Sequence, residues 1–337
     1  MSKNKKWVAA AVALFLLAPM IAFALTTEAL EIESITVTAP IVETNPANYA
    51  PIAENLNYTT YKGVAVYGKF AAVDPEGDLL TFRIVSQPKK GNVTVSDSKF
   101  IYTPSSSKKG KDMFTYVALD PNGNVSQEAT VNLVIEKQST KITYADMAGN
   151  EAEYSALRLA EDGVFIGEQV GSNYYFNPNE TLSRGEFLAM CSAVTDIAPL
   201  TDIERTGFSD DALMPAWVKP YVGAALMDGI ISGYRTESGS AIFAPNLPIT
   251  YAEAVVMLNN ALDISDVKSV SYFDSEGIVP AWASQAAANL SACNILNDVT
   301  LSTNAPLTRA QAASILAPAA ELLKARKNGK SFLSWAF

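Results

Sequence analysis

The chain has no histidine among its 337 residues. Imidazole is the side chain whose charge ordinarily changes near neutral pH, and it is the commonest metal ligand. Its absence excludes Ser-His-Asp and Cys-His catalysis and every His-ligated zinc site. Cysteine is almost missing too. Cys191 and Cys293 stand apart, in no metal-ligand spacing, and are too few for a disulfide framework. Basic residues are the minority, 25 against 35 acids, for a net charge of −10. Such a surface repels nucleic acid and anionic surfaces over most of its area. Apolar residues are plentiful, at 49% of the chain, and the length suits about two or three domains.

The first residues read as a targeting segment. Lys3, Lys5 and Lys6 precede an almost wholly apolar run from Trp7 to Phe23, and Ala22-Phe23-Ala24 offers small residues at a cleavage site. This pattern predicts a secretory signal peptide over residues 1–24, followed by a linker over 25–47. A retained membrane anchor is the alternative for an apolar run of this length. Pro19 and the Ala-x-Ala favour removal, after which no membrane contact is expected and the charge falls from −10 to −13 with the three lysines.

Residues 48–136 lack helical periodicity. Short β-rich runs such as Leu79–Val85, Phe100–Tyr102, Met113–Val117 and Ala129–Ile135 alternate with turn signals such as Pro75-Glu76-Gly77-Asp78 and Pro121-Asn122-Gly123-Asn124. About seven strands, with a turn every ten or so residues, predict an antiparallel β-sandwich. Asp74, Glu76, Asp78 and Asp120 would place hard oxygen ligands near one end of it, as calcium prefers. Asp-Pro-x-Gly is also ordinary turn chemistry. None of the runs is the long calcium loop of alternating ligands, so the turn reading is the plainer one and calcium the alternative.

After Lys137-Gln138-Ser139-Thr140 the pattern turns helical and repeats three times, over 141–200, 201–265 and 266–323. Asp146, Asp210 and Asp274 each follow an aromatic and are spaced 64 residues apart in both steps. Gly163, Gly229 and Asn294 fall where a helix C-terminus needs a left-handed residue. A Pro-containing loop leads to the shared motif Leu182-Ser183-Arg184-Gly185-Glu186, Ile249-Thr250-Tyr251-Ala252-Glu253 and Leu307-Thr308-Arg309-Ala310-Gln311. Each copy predicts a capping box, with hydroxyl at N-cap and Glu or Gln three residues on. Matching apolar stripes follow at Phe187, Met190, Cys191 and Val194, at Ala254, Met257, Leu258 and Ala261, and at Ala312, Ile315, Leu316 and Ala319. Both cysteines read as structural, Cys191 in a core stripe and Cys293 at a helix end.

Arg184 and Arg309 occupy the first helical position, where a cation opposes the helix dipole. Two aligned copies of an unfavourable choice point to an anion site, with the guanidinium beside free helix N–H groups and a carboxylate or phosphate as ligand. Gly185 at the second position is expected to weaken its helix by about 1 kcal/mol relative to Ala.

Two resemblances complete the reading. Residues 48–136, through Asp74-Pro75-Glu76-Gly77-Asp78, Phe100-x-Tyr102-Thr103-Pro104 and Asp112-x-Phe114-x-Tyr116, resemble the bacterial immunoglobulin-like and cadherin-like modules. The repeats resemble S-layer homology domains through Gly233-Tyr234, Phe243-x-Pro245, Ile249-Thr250-Tyr251-Ala252-Glu253 and Leu307-Thr308-Arg309-Ala310. The second resemblance implies an all-α pseudo-trimer of three repeats with a central three-helix bundle. It also implies non-covalent, non-catalytic binding of a pyruvylated secondary cell-wall polysaccharide, outside a bacterial cell in its wall or surface layer, with other surface-layer proteins as further partners. The family's motif arginine grips the acidic ketal, a role that carries over to Arg184 and Arg309. Tyr251 replaces Arg in the second unit, which implies a lost charge there, with stacking on a sugar as its remaining use. Trp217 and Trp282, from the Pro-x-Trp element, are candidates to line grooves or to pack the core.

Adhesion or surface assembly through the immunoglobulin-like module, with or without calcium, is the alternative function. A wall-glycan hydrolase needs only two carboxylates, but no segment remains to fold as its catalytic domain. The basic-aromatic tail, 324–337, reads as a frayed end or a contact with an anionic wall polymer.

Overall fold

The structure, a computed structural model, describes residues 48–268, 279–296 and 304–329. The expected signal peptide and linker, the Asp274 landmark and the Phe332–Trp335 end of the tail lie outside the described residues.

The first half is built from nine strands. They are β1 (Ile52–Ala53), β2 (Leu56–Tyr61), β3 (Val66–Lys69), β4 (Ala72–Val73), β5 (Thr81–Ser86), β6 (Gly91–Ser96), β7 (Lys99–Pro104), β8 (Gly110–Leu119) and β9 (Ala129–Glu136). Alternation decides which face each residue takes. In β9, Ala129, Val131, Leu133 and Ile135 are buried, while Asn132, Val134 and Glu136 point out. β7 alternates in the same way, burying Phe100, Tyr102 and Pro104. One sheet runs β2-β9-β8-β5 and the other β3-β7-β6, so the expected sandwich forms with four strands against three. The pairings are antiparallel except for β2 beside β9, which is parallel. Phe70, Phe100, Phe114 and Tyr116 fill the space between the sheets with ring contacts. Asp112 is the acid buried among them. It accepts the Lys89 and Lys90 N–H groups and the Tyr102 hydroxyl at 2.9, 2.8 and 2.7 Å. Burial pushes its pKa up, but these donors and the Met113 N–H outweigh burial and hold the carboxyl below the ordinary aspartate range.

The second half contains α1 (Glu153–Glu161), α2 (Arg184–Thr195), α3 (Lys219–Met227), α4 (Tyr251–Leu262), α5 (Ala281–Ala292) and α6 (Arg309–Lys327). Two small hairpins, β10 (Glu168–Val170) with β11 (Asn173–Tyr175) and β12 (Tyr234–Arg235) with β13 (Ala241–Ile242), follow α1 and α3. The three expected capping boxes are present at Ser183, Thr250 and Thr308, each with both reciprocal bonds. Gly163, Gly229 and Asn294 adopt φ of +70°, +70° and +55°, the left-handed conformation expected after a helix.

The shared motif also closes a ring. The Leu182 N–H donates to the Leu307 carbonyl at 3.0 Å, Leu307 to Ile249 at 2.8 Å, and Ile249 back to Leu182 at 3.0 Å. All three side chains are buried. The capped helices α2, α4 and α6 therefore start from one backbone ring, and α2 packs against both α4 and α6. The repeated Asp landmarks also have a structural use. Asp146 accepts the Phe176 and Asn177 N–H groups, and Asp210 accepts those of Phe243 and Ala244. Each Asp pins the loop that leads into its unit's motif.

The two halves share a packed seam. Tyr61 of β2 is 1% exposed and belongs to the helical core. Its hydroxyl donates to Glu161 at the end of α1 at 2.5 Å, and its ring lies 5.1 Å from that of Tyr154. The same Glu161 carboxylate accepts the Ser139 N–H and hydroxyl, holding down the stretch read from sequence as a boundary.

Candidate functional site

Arg184 and Arg309 stand at the first positions of α2 and α6, two residues after the ring residues Leu182 and Leu307. Each arginine reaches into the loop of a neighbouring unit. Arg184, 5% exposed, donates through Nε to the Phe243 carbonyl at 3.0 Å. Its Nη1 is 3.3 Å from Glu253. Its guanidinium lies 4.3 Å from the centre of the Tyr234 ring, within cation–π range. Glu253 belongs to the frame of this groove. Its carboxylate accepts the Thr250 N–H at 3.0 Å and the Tyr234 hydroxyl at 2.5 Å. Burial raises the Glu253 pKa, but those two donors and Arg184 outweigh it and keep the group ionised. Burial, then the bond to Glu253, pushes Tyr234 up to about 12.

Arg309, 8% exposed, is held differently. Its Nη1 lies 2.6 Å from Glu180 and 3.3 Å from Glu168, and reaches the Phe176 carbonyl only at 3.4 Å. Its Nε is buried and has no acceptor. The Phe165 ring lies 5.3 Å away.

The expectation of free helix N–H groups beside these arginines is not met. The Arg184 and Gly185 N–H groups donate to the Leu247 and Pro245 carbonyls, and those of Arg309 and Ala310 to Glu180 and Pro178. The Pro-containing loop of the neighbouring unit satisfies them, so the guanidinium alone is left to meet an anion. Gly185 is explained by the same approach. A Cβ there would meet Val218 Cγ2 at 3.0 Å and the Pro245 carbonyl at 3.2 Å. The glycine admits the loop, and the expected cost in helix propensity is secondary to that fit.

Tyr251 starts α4 in the equivalent place, and its N–H donates to the Ala305 carbonyl at 3.2 Å. It is 6% exposed, as deeply buried as the two arginines. Trp217 and Trp282 are 52% and 59% exposed, which excludes the core-packing alternative for both. Trp217 lies just before α3 and Trp282 in the first turn of α5.

The four acids of the sandwich do not form a cation cluster. Asp120 accepts the Asn122 and Asn124 N–H groups on one oxygen and the Asn48 and Asn124 amides on the other. Asp74 accepts the Glu76 and Asp78 N–H groups on Oδ1, and Glu76 accepts the Tyr49 N–H. Asp74 Oδ2 is buried without a partner. Among the described residues no three acidic or cysteine side chains converge on a point a metal ion would take. These residues build turns, which is the plainer of the two sequence readings. Cys191 is fully buried, and burial pushes its thiol up to about 12, so no thiolate forms at neutral pH.

Sequence reasoning missed Tyr234, Glu253, Glu168 and Glu180 as neighbours of the arginines. The signal lay in cross-unit alignment. A motif arginine is lined by the loop of another unit, so its partners cannot be found near it in the chain.

Comparison with known proteins agrees with the two-part organisation. Residues 48–134 match the bacterial Ig domain family, and residues 207–255 match the S-layer homology domain family. The chain is 27% identical over 164 residues to the surface-layer 125 kDa protein of Lysinibacillus sphaericus, covering 47% of this chain and 13% of that protein. Among solved structures, an endo-fucoidan hydrolase of glycoside hydrolase family 107 is 28% identical over 28% of this chain and 15% of that one, with a TM-score of 0.22. The SrpA adhesin of Streptococcus sanguinis is 18% identical over 30% of this chain and 62% of that one, with a TM-score of 0.21. The chain thus spans a small part of the surface-layer relative. The two matched families are of non-catalytic types.

Proposed function

We propose that this chain is a surface protein anchored non-covalently to a bacterial cell wall, its helical half acting as three S-layer homology units arranged as a pseudo-trimer around a central helix bundle. The S-layer homology match and the surface-layer relative indicate a location at the cell wall or surface layer. The ring of backbone bonds between Leu182, Ile249 and Leu307 supports a threefold arrangement of the units. The ligand is an acidic wall polysaccharide, and a pyruvyl ketal suits it, because its carboxylate is a planar acceptor for a guanidinium fork. The observation that carries this reading is the pair of nearly buried arginines, Arg184 and Arg309, each reaching the loop of another repeat and backed by an aromatic ring. The exposed Trp217 and Trp282 are candidates for sugar contacts beside those grooves. The sandwich is the displayed module.

The test is co-sedimentation of the full chain with polymer-bearing wall fragments. Wild type is expected in the pellet, and a double Arg184→Ala, Arg309→Ala variant with unchanged circular dichroism in the supernatant. Equal sedimentation of the two would remove the arginines from the binding site.

A further inference from the structure

The two arginines hold the same place in their units, yet one carboxylate lies beside Arg184 and two lie beside Arg309. Position by position, the loop that receives Arg309 corresponds to the loop that receives Arg184. Gly167-Glu168 stands where the second unit has Gly233-Tyr234, and Phe176-x-Pro178-x-Glu180 stands where it has Phe243-x-Pro245-x-Leu247. The backbone confirms the match, because the Arg184 N–H donates to Leu247 and the Arg309 N–H to Glu180. The position of Tyr234, whose ring faces Arg184, and that of Leu247, whose carbonyl takes the Arg184 N–H, are therefore both glutamates beside Arg309. Both glutamates pair with its Nη1.

The pose of Arg309 records this difference. Arg184 places Nε on its loop carbonyl at 3.0 Å. Arg309 has turned so that Nη1 meets Glu180 at 2.6 Å, its own loop carbonyl is reached only at 3.4 Å, and Nε is left buried with no acceptor. Leaving a buried donor unpaired carries a cost that a stronger bond of the same group offsets. Here the charge-assisted bond to Glu180 is that partner.

We propose that Glu168 and Glu180 act as an internal substitute for an acidic ligand, closing the Arg309 groove so that the Arg184 groove carries the binding. This inference rests on the acidic-polysaccharide reading above. An incoming carboxylate at Arg309 must displace two carboxylates already there and approach a groove of net negative charge. At Arg184 the acid present is Glu253, which is tied to Thr250 and Tyr234 and belongs to the groove wall. The second unit's own motif has lost its arginine to Tyr251, so one working acidic groove is left of three.

The test titrates polymer-bearing wall fragments against the full chain and reads affinity and the amount bound at saturation. Arg184→Gln is expected to weaken affinity about tenfold or more, and Arg309→Gln to weaken it several-fold less than that. The double replacement Glu168→Tyr, Glu180→Leu gives the Arg309 groove the lining of its counterpart, and is expected to raise the amount bound at saturation, a gain that adding Arg309→Gln erases. Both glutamate side chains are more than half exposed, so this arm does not depend on tolerance of a buried change. A loss from Arg309→Gln as large as that from Arg184→Gln overturns the proposal and leaves the anchoring reading intact. So does a glutamate double variant that binds as wild type does. Failure of wild type and every variant to bind walls removes the anchoring reading and this proposal together.

Discussion

Gly185 shows how one residue answers to its neighbour before its own helix. In an exposed helix Gly→Ala stabilises by about 1 kcal/mol. At Gly185 the new methyl would press on Val218 and on the Pro245 carbonyl, which accepts the Gly185 N–H at 2.9 Å. Gly185→Ala is therefore expected to destabilise by about 1–3 kcal/mol, read as a lower denaturant midpoint at unchanged slope. A raised midpoint would show that the loop yields and that propensity decides. The arginines teach the same lesson. Their position against the helix dipole was legible in the sequence. Their partners were not, because Glu253 faces Arg184 across 69 positions, and Glu168 faces Arg309 across 141. The acids of the sandwich follow the same rule: Asp74 Oδ1 and Asp120 Oδ1 accept N–H groups of their own turns, a pairing that composition does not show.

At the scale of elements, periodicity and capping carried most of the fold. Alternation gave the strands of the sandwich, and the hydroxyl-to-Glu spacing gave the starts of α2, α4 and α6. These signals are local, since each depends on residues within a turn or a strand. The closed ring and the loop clamps are not local and were not visible in the sequence. The landmark Asp was visible as a repeat, but its role emerged only with Asp210 Oδ1 and Oδ2 on the Phe243 and Ala244 N–H groups. Asp210→Ala leaves both donors without their acceptor, an expected cost of about 1–3 kcal/mol. It should also weaken wall binding, because Phe243 carries the acceptor for Arg184 Nε. Hydrogen exchange of the Phe243 and Ala244 amides checks this directly. Unchanged protection would mean that the loop is held by something else.

At the scale of the whole described chain, the sequence suggested a sandwich and a helical half joined by a polar boundary. The structure puts a tyrosine of the sandwich inside the helical core and clamps the boundary to α1 through Glu161. In sequence the polar stretch 137–140 marked only the change of pattern, and in the structure Ser139 there binds Glu161. Arg158 and Lys324 gather beside the same seam, with Arg158 3.7 Å and Lys324 2.5 Å from Asp162. Glu161→Ala with Tyr61→Phe removes both ends of the clamp. Calorimetry is expected to show one unfolding transition in wild type separating into two in this variant. A single transition in both would place the coupling elsewhere.

The central claim is that an acidic group on a wall polymer is held by guanidinium groups set between helical units. The most direct measurement is co-sedimentation of the full chain with one batch of polymer-bearing walls, divided before use and stripped of pyruvyl ketals in one half. The account predicts binding to the untreated half and a loss of about tenfold or more in affinity for the stripped half, the scale of one charge-assisted bond. Equal binding to both halves would contradict it.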